Sequence, residues 1–376
     1  MRIGILSLVL HTNYGGILQA YALQTVLERM GHDVFILTRN RSINYSVYNQ
    51  LISYGRTFIK KYLLHRDAEF VNLKKMEIER LEHEQYTKDF IEKYINTRII
   101  GKLNWDSVSD LDAIVVGSDQ VWRSGYFRGH WNTGIEDAFL SFLEGKTLKR
   151  IAYAASFGTD EWEYNYEETI ECRRLIQMFD AVSVREESGI LLCKEKLFRD
   201  NAKCVLDPTL LLSKDDYLGL IKNSTVEASK GNLMCYVLDM TEDKQNLIEQ
   251  IAHSRGLTPF TANSRVEDLT APHNERIQPP LEQWLQGFID ADFIVTDSFH
   301  ACIFSIIFNK PFVVVGNYNR GLSRFKTLLS LFGLTDHLIL SNGDYNDCIE
   351  YNIPQEVYDI LSVKTKESLG FIRDNL

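Results

Sequence analysis

Two apolar runs in the sequence are followed by charged side chains that suit an anionic small molecule. Arg185 comes directly after one run, and His300 closely follows another. An arginine in such a place suits a phosphate or a carboxylate, and a histidine suits a general acid or an anion ligand. The alternatives are an ion pair of Arg185 with Glu186 or Glu187, and a structural role for His300.

A second group of residues suits a hydroxyl-rich ligand. The segment 117–122 follows an apolar run and holds Asp119, Gln120 and Trp122. Carboxylate and amide groups hydrogen-bond to sugar hydroxyls, and an indole stacks on a sugar ring. The alternative is a helix that has Ser118 or Asp119 as its N-cap, with Trp122 in the core.

A pair of glycines follows the first apolar run of the chain. Asn13, Tyr14, Gly15 and Gly16 lie between that run and an amphipathic helix. Glycines let the backbone approach a ligand closely, and the start of the helix offers free amide groups to an anion. The alternative is a tight turn that needs glycine for its dihedral angles.

Further donors to an anion come from the second half of the sequence. Ser298 and Phe299 open the same predicted helix as His300, so their amide groups lie beside the imidazole. Arg320 and Arg324 follow a later apolar run and add positive charge. The alternative for these two arginines is a solvated surface.

Strands and helices alternate along the chain, and this order predicts an α/β fold. The predicted strands are short apolar runs at 2–9, 33–38, 111–116, 150–155, 180–184, 203–206, 232–238, 292–296 and 311–315. Helices between strands imply parallel pairing, and ligands bind beyond the carboxyl ends of such strands. We therefore expect two parallel-sheet domains that face a central cleft.

The predicted domains are 1–207 and 208–350. The first contains a helical insertion at about 41–100, which is rich in Lys, Glu, Tyr and Leu. Asp207 stands at the boundary, where it either caps the next element or contacts a ligand. We expect the last segment, 351–376, to form a helix that returns to the first domain.

The composition excludes several classes of protein. The formal net charge of −10 argues against a nucleic-acid partner, which requires a basic surface. No apolar run approaches the roughly 20 residues that span a bilayer. Six cysteines without a Cys-x-x-Cys pair favour a reducing, cytoplasmic compartment over a zinc site.

One basic stretch, 56–66, interleaves lysine and arginine with apolar residues. An anionic membrane surface attracts such a pattern. We interpret the stretch as a surface helix that is docked on its own protein. Any membrane contact, at the inner face of the membrane, is then at most peripheral.

Several motifs, taken in order, resemble those of the polysaccharide pyruvyl transferase family. The similarity runs from Met1 to about Leu334 and includes the four residues at 13–16 and the segment 18–23. Its other motifs are Val116 to Trp122, Ala154 to Gly158, Ser183 to Glu186, Asp207 to Thr209 and Asp297 to Ala301. The resemblance implies a GT-B-like fold of two Rossmann-like domains. It also implies transfer of a pyruvyl group from phosphoenolpyruvate to two sugar hydroxyls, giving a cyclic ketal and phosphate.

The resemblance assigns Arg185 and His300 to phosphoenolpyruvate binding and catalysis. Some members carry an arginine two residues before the histidine, where this chain has Ser298. We expect Arg320 or Arg324 to take its place, unless the donor differs.

In the predicted mechanism His300 protonates the enol carbon, or alternatively binds the phosphate, and Asp119 is the base. The donor is a substrate, so the scheme needs no cofactor and no metal. The acceptor is a saccharide, either lipid-linked or free. The alternatives are a nucleotide-sugar glycosyltransferase of the same architecture and a protein that binds a sugar or phosphoenolpyruvate without transforming it.

Overall fold

Two parallel sheets organise the chain in a computed structural model that describes residues 1–222, 224–266, 268, 270–316, 321–347 and 350–376. The first sheet has the strand order β3-β2-β1-β4-β5-β6-β7. Its strands are β1 Arg2–Leu6, β2 Asp33–Thr38, β3 Thr97–Ile99, β4 Ala113–Val116, β5 Lys149–Ala155, β6 Ala181–Val184 and β7 Lys203–Cys204. Successive strands are added on one side of β1 up to β3 and on its other side from β4 onward, so the strand order reverses between β1 and β4. Ligands bind in the crevice at such a switch point.

The second sheet repeats this design with the order β12-β11-β10-β8-β9. Its strands are β8 Leu233–Tyr236, β9 Pro259–Phe260, β10 Phe293–Thr296, β11 Phe312–Val315 and β12 Leu338–Ile339. All pairs in both sheets are parallel, and β8 and β10 flank the second switch point. The two sheets confirm the predicted α/β class, and we call the parts that contain them the first and second halves.

Helices cover both faces of the sheets, as parallel sheets require. In the first half they are α1 Tyr14–Arg29, α2 Val47–Phe58, α3 Leu73–Tyr94, α4 Ser124–Trp131, α5 Tyr166–Ile176 and α6 Glu187–Glu195. Beyond it they are α7 Lys214–Lys222, α8 Glu242–Arg255, α9 Leu281–Asp290, α10 Phe299–Phe308, α11 Ser323–Leu331 and α12 Gln355–Asn375. A π-helical turn, Ile59–Leu63, extends α2. No helix in the described ranges is long and apolar enough to cross a membrane.

Three short strands were not predicted. Strand β3 lies inside the segment that we expected to be entirely helical, while β9 and β12 have two residues each. Such short elements carry no hydrophobic period, so only their pairing with a neighbouring strand defines them. The helical content of the 41–100 segment, in α2 and α3, agrees with the prediction.

One hydrophobic core cluster extends through both halves. It includes Ile17 and Leu23 of α1 together with Trp284 of α9 and Phe304 of α10. The last helix, α12, joins the same cluster through Phe371. The two halves therefore share this cluster, while two further clusters each belong to one half.

Helix α12 also makes specific contacts with the first half. The buried hydroxyl of Ser368 accepts a hydrogen bond of 3.1 Å from the amide of Leu206. The rings of Tyr153 and Phe371 lie 6.3 Å apart. The carboxyl-terminal helix therefore packs on the first half after the chain has built the second.

Candidate active site

A cavity of about 740 Å³ lies between the carboxyl ends of the two sheets. The first half lines it with residues that follow β1, β2 and β4, and the second half lines it with residues that follow β8, β10 and β11. The polar lining residues are His11, Asn13, Arg39, Arg41, Asp119, Gln120, His130, Asp239, Asp297, Ser298, His300 and Arg324. The cleft therefore lies where the two switch points face each other.

The carboxylate of Asp207 joins the two halves beneath this cleft. It accepts hydrogen bonds from Arg185 Nη1 at 2.7 Å and from Ser118 Oγ at 3.1 Å. Its other oxygen accepts from the amide and hydroxyl of Thr209, so Asp207 also caps the 3₁₀ turn that follows. Nε2 of His300 lies 3.8 Å from the same carboxylate. Asp207 thus caps the next element and gathers Arg185 and His300.

The charges of this cluster depend on burial and on each other. Burial opposes ionisation of Asp207, but Arg185 and His300 hold the pKa of the carboxyl at about 2. Burial also opposes the charge of Arg185, yet the nearby carboxylates of Asp207, Asp119 and Glu186 leave its pKa raised. Both groups are therefore charged at neutral pH and form a buried ion pair.

The imidazole of His300 is held at the start of α10. Burial lowers its pKa below the ordinary value, Asp207 opposes this shift, and Arg185 adds to it. Nε2 is buried and has no hydrogen-bond partner within the described part of the chain. In the free protein His300 therefore presents an unused ring nitrogen beside a carboxylate at the edge of the cleft.

Gly15 makes room for this imidazole. A Cβ atom on Gly15 would lie 2.0 Å from Nδ1 of His300, far inside van der Waals contact. Gly15 belongs to the first turn of α1, which Asn13 caps by accepting a hydrogen bond from the amide of Gly16. The glycine pair is therefore helical, not a tight turn. Its first member lets the two halves approach closely.

Phe299 separates two arginines. The guanidinium carbons of Arg185 and Arg324 lie 4.6 Å and 5.2 Å from the centre of its ring. Phe299 lines the cleft together with Arg324, whereas Arg185 and Phe299 line another cavity of about 830 Å³. Burial and the charge of Arg185 lower the pKa of Arg324 to about 10, so it remains a cation at neutral pH.

Asp119 presents its carboxylate to the cleft from the loop after β4. Its φ of 69° is unusual for a residue other than glycine. Its side chain accepts a hydrogen bond of 2.9 Å from the amide of Gln120, and Nη2 of Arg185 lies 3.8 Å away. No described helix begins at Ser118 or Asp119, so the alternative of an N-cap at these residues is not formed.

Two predicted ligand contacts belong to the core instead. Trp122 is fully buried, stacks on Phe139 with ring centres 4.9 Å apart, and donates from Nε1 to a carbonyl. Tyr14 is also fully buried, and its hydroxyl donates to the carbonyl of Pro279. Neither ring is available to stack on a sugar. Ser298 caps α10 and lines the cleft as well.

Several residues that line the cleft were not predicted from the sequence. Arg39 and Arg41 follow β2 directly, so the rule that placed Arg185 at a strand end would have found them. His11 and His130 stack with ring centres 5.3 Å apart, and burial together with Arg41 lowers the pKa of His11 to about 3. A contact between histidines so distant in sequence leaves no local signal.

Of the two arginines predicted after β11, the structure describes one. Arg320 lies outside the described residues, whereas Arg324 is buried at the cleft. Within the described ranges, no group of three His, Cys, Asp or Glu side chains is arranged to hold a metal ion. The described cleft offers an anion its arginines, its histidines and the start of α10, and Asp119, Asp239 and Asp297 line it as well.

Comparisons with known proteins place the chain in a family. Among solved structures it is similar to UDP-GlcNAc 2-epimerase from Neisseria meningitidis bound to UDP-GlcNAc, with a TM-score of 0.49, 12% identity and full coverage of both chains. It is also similar to Arabidopsis thaliana UGT89C1 complexed with UDP, with a TM-score of 0.41, 10% identity, and coverage of 100% of this chain and 94% of the other. No curated protein matches. The polysaccharide pyruvyl transferase family model matches residues 13–319. Because this match covers most of the sequence and contains the cleft motifs from Asn13 to His300, the chain belongs to the polysaccharide pyruvyl transferase family.

Proposed function

We propose that the protein transfers a pyruvyl group from phosphoenolpyruvate to two hydroxyls of a sugar in a polysaccharide or its precursor. The products are a cyclic ketal and phosphate. Family membership supports a transferase that acts on polysaccharide. The observation that carries the proposal is the position of His300, whose buried Nε2 lies beside Asp207 in a cleft that also contains Arg324.

The cleft suits the charge of the donor. Phosphoenolpyruvate carries a carboxylate and a phosphate, so its site must concentrate positive charge and hydrogen-bond donors. Arg324, Arg39 and Arg41 line the cleft, and α10 directs its first amide groups there. We assign direct donor contact to Arg324. Arg185 acts mainly as a positioning residue, because it pairs with Asp207 and packs behind Phe299.

The first step joins the donor to the sugar. His300 gives a proton to the methylene carbon of phosphoenolpyruvate, and the central carbon becomes electrophilic. A sugar hydroxyl attacks that carbon and forms the first C–O bond, while Asp119 accepts the hydroxyl proton. The donor double bond is consumed, and the phosphate remains attached at this stage.

The second step closes the ketal. The C–O bond to phosphate breaks, and the phosphate leaves with the bonding electron pair. A second hydroxyl of the same sugar attacks the central carbon, and its proton passes to the phosphate or to a base in the cleft. One C–O bond replaces another, so the step needs neither an oxidant nor a reductant.

Asp207 prepares His300 for the first step. Burial keeps the imidazole neutral in the free protein, since its pKa is lowered. The carboxylate at 3.8 Å favours the imidazolium, and a bound trianion would favour it further. Binding of the donor therefore favours protonation of His300, which supplies the proton that the reaction consumes.

The test is incubation with phosphoenolpyruvate and candidate saccharide acceptors, followed by measurement of phosphate release and product mass. The proposal expects stoichiometric phosphate and an acceptor that carries one pyruvyl ketal. Replacement His300→Ala should lower turnover by about 10²–10⁴-fold, because it removes general acid catalysis. The control His32→Ala, at the opposite end of α1, should keep full turnover. Saturable donor binding without any product would instead indicate a binding protein.

One observation favours a second candidate, a nucleotide-sugar glycosyltransferase. A cavity of about 1150 Å³ lies beyond the carboxyl ends of β8 and β9 and shares Asn13 and Ser298 with the cleft. It is large enough for a ligand of nucleotide size. This candidate predicts release of a nucleoside diphosphate from a nucleotide sugar, and no phosphate from phosphoenolpyruvate.

A further inference from the structure

The outer helix, which we define as α2 and the π-helical turn that follows it (residues 47–63), turns apolar side chains to solvent. Val47, Leu51 and Phe58 are 78%, 64% and 52% exposed. Together with Tyr54 they recur at intervals of three and four residues, so they share one face of the helix. The exposed apolar surface continues through Ile59, Tyr62, Leu63 and Leu64.

The face that the outer helix turns toward the protein is mostly polar, with Ile52 as its one half-buried apolar residue among those described. Thr57 is buried, and Gln50 and Ser53 are half-buried. The side chain of Gln50 donates from Nε2 to the carbonyl of Val71 at 2.8 Å, and its Oε1 accepts from the backbone N–H of Leu73 at 2.7 Å. A surface helix of a globular protein normally has the reverse arrangement. The outer helix thus docks on its own protein by a mostly polar side, and its more apolar side faces outward.

The charge of the same region is strongly basic. Residues 41–66 contain no Asp or Glu, although the whole chain has a formal net charge of −10. Arg56, Lys60, Lys61 and Arg66 are exposed, and within the described ranges none of them forms an ion pair with an acidic side chain. Apolar and cationic groups are therefore presented together.

We propose that the outer helix binds the surface of a membrane that contains anionic lipid. An interfacial helix buries an apolar face at the boundary of headgroups and acyl chains, while its basic residues meet anionic headgroups. A second copy of the chain fits less well. A symmetric pair formed through this face would bring the basic residues of both copies together, and like charges oppose such an interface.

The outer helix is connected closely to the cleft. Arg41 lines the cleft and pairs with Glu84, and α2 begins at Val47. The intervening chain spans at most about 20 Å. A membrane-bound outer helix would therefore hold the cleft near the lipid surface. In that position the cleft suits a saccharide acceptor that is attached to lipid, a consequence that rests on the proposed transferase function.

Vesicle co-sedimentation tests the binding without any need for the reaction. We expect the protein to sediment with vesicles that contain phosphatidylglycerol, to remain soluble with phosphatidylcholine alone, and to dissociate as salt increases. Leu51→Ser combined with Phe58→Ser should abolish sedimentation. Lys60→Gln and Lys61→Gln should each weaken binding about fivefold, because each removes one charge near the surface.

Matched controls lie on α6, far along the chain from the outer helix. Leu191→Ser removes an apolar side chain that is 57% exposed, and Lys194→Gln removes an exposed charge, so both should sediment like the unaltered protein. Equal sedimentation of all variants, or no sedimentation with anionic vesicles, would overturn the proposal. So would concentration-dependent dimers that Leu51→Ser dissociates. Phosphate release with a soluble acceptor should be the same for Leu51→Ser as for the unaltered protein, which separates this test from that of the transfer reaction.

Discussion

At the scale of the residue, the proposed reaction depends on a histidine whose pKa is lowered. Burial lowers the pKa of His300 below 6.5, and the ion pair of Asp207 with Arg185 fixes the charges around it. A group with a lowered pKa loses its proton early as the pH rises. The free protein therefore contains little of the acid that the proposed reaction uses.

This predicts the pH dependence of kcat/KM. If His300 must be protonated in the free enzyme, kcat/KM should fall as the pH rises through a value below 6.5, with tenfold loss per pH unit. The corresponding fall in kcat, which we call its alkaline limb, should occur at higher pH, because the bound donor stabilises the imidazolium. Steady-state rates of phosphate release measure both profiles. The His300→Asn variant should lack the limb, and an identical limb in that variant would assign it to another group.

Gly15 provides a second test at this scale. In Gly15→Ala the new methyl group collides with the imidazole, so His300 must move. A displacement of about 1 Å costs on the order of 10²-fold in turnover. The control Gly219→Ala adds a methyl group to a helix where nothing lies within 4 Å, and it should keep full turnover. Turnover and the midpoint of thermal unfolding are measured together. A fully active Gly15→Ala would contradict the close approach.

The sequence indicates which residues stand at strand ends, but not what each one touches. Arg185, His300 and Asp119 were predicted because each closely follows an apolar run. In the structure Arg185 and His300 meet at Asp207, and Asp119 lies beside Arg185. Trp122 follows the same rule, yet it turns into the core. Which way a side chain turns depends on packing partners that no local pattern contains.

At the scale of the element, long apolar or amphipathic segments were predictable and short ones were not. Strands such as β4 and β10 are buried along their whole length, so their composition alone identifies them. Strands β9 and β12 exist only through pairing with β8 and β11. The basic stretch 56–66, which overlaps the end of the outer helix, was recognised as amphipathic, but the sequence does not indicate which face meets the protein.

Helix α12 provides a test of this packing. Ser368→Ala leaves the buried amide of Leu206 without its acceptor, which should lower the free energy of unfolding by about 1–3 kcal/mol. The control Ser362→Ala lies on the exposed side of the same helix and should change stability by less than about 0.5 kcal/mol. Chemical denaturation with circular dichroism measures both variants. Equal stability of the two would mean that α12 is not held by this bond.

At the scale of the whole molecule, the shared core couples the two halves. The cluster that contains Ile17 and Trp284 crosses from one sheet to the other. Contacts between distant segments add to it, including the hydrogen bond from Tyr14 to Pro279. The halves should therefore unfold together rather than as independent domains.

Tryptophan fluorescence can test this cooperativity. Trp284 belongs to the second half, and the other four tryptophans precede residue 163. In Trp284→Phe the fluorescence reports only the first half, while circular dichroism reports all helices. We expect the two signals to have the same thermal midpoint, as in a two-state transition. Separate midpoints would show that each half unfolds alone.

The contact between Gly15 and His300 has a consequence for how such a protein can be divided. The glycine belongs to α1 and the histidine to α10, and they meet only when both sheets are present. A gene fragment that encodes either sheet alone would thus yield a product without the complete cleft. Chimeras assembled from related chains should be active only when the chain that contributes α1 has glycine at position 15.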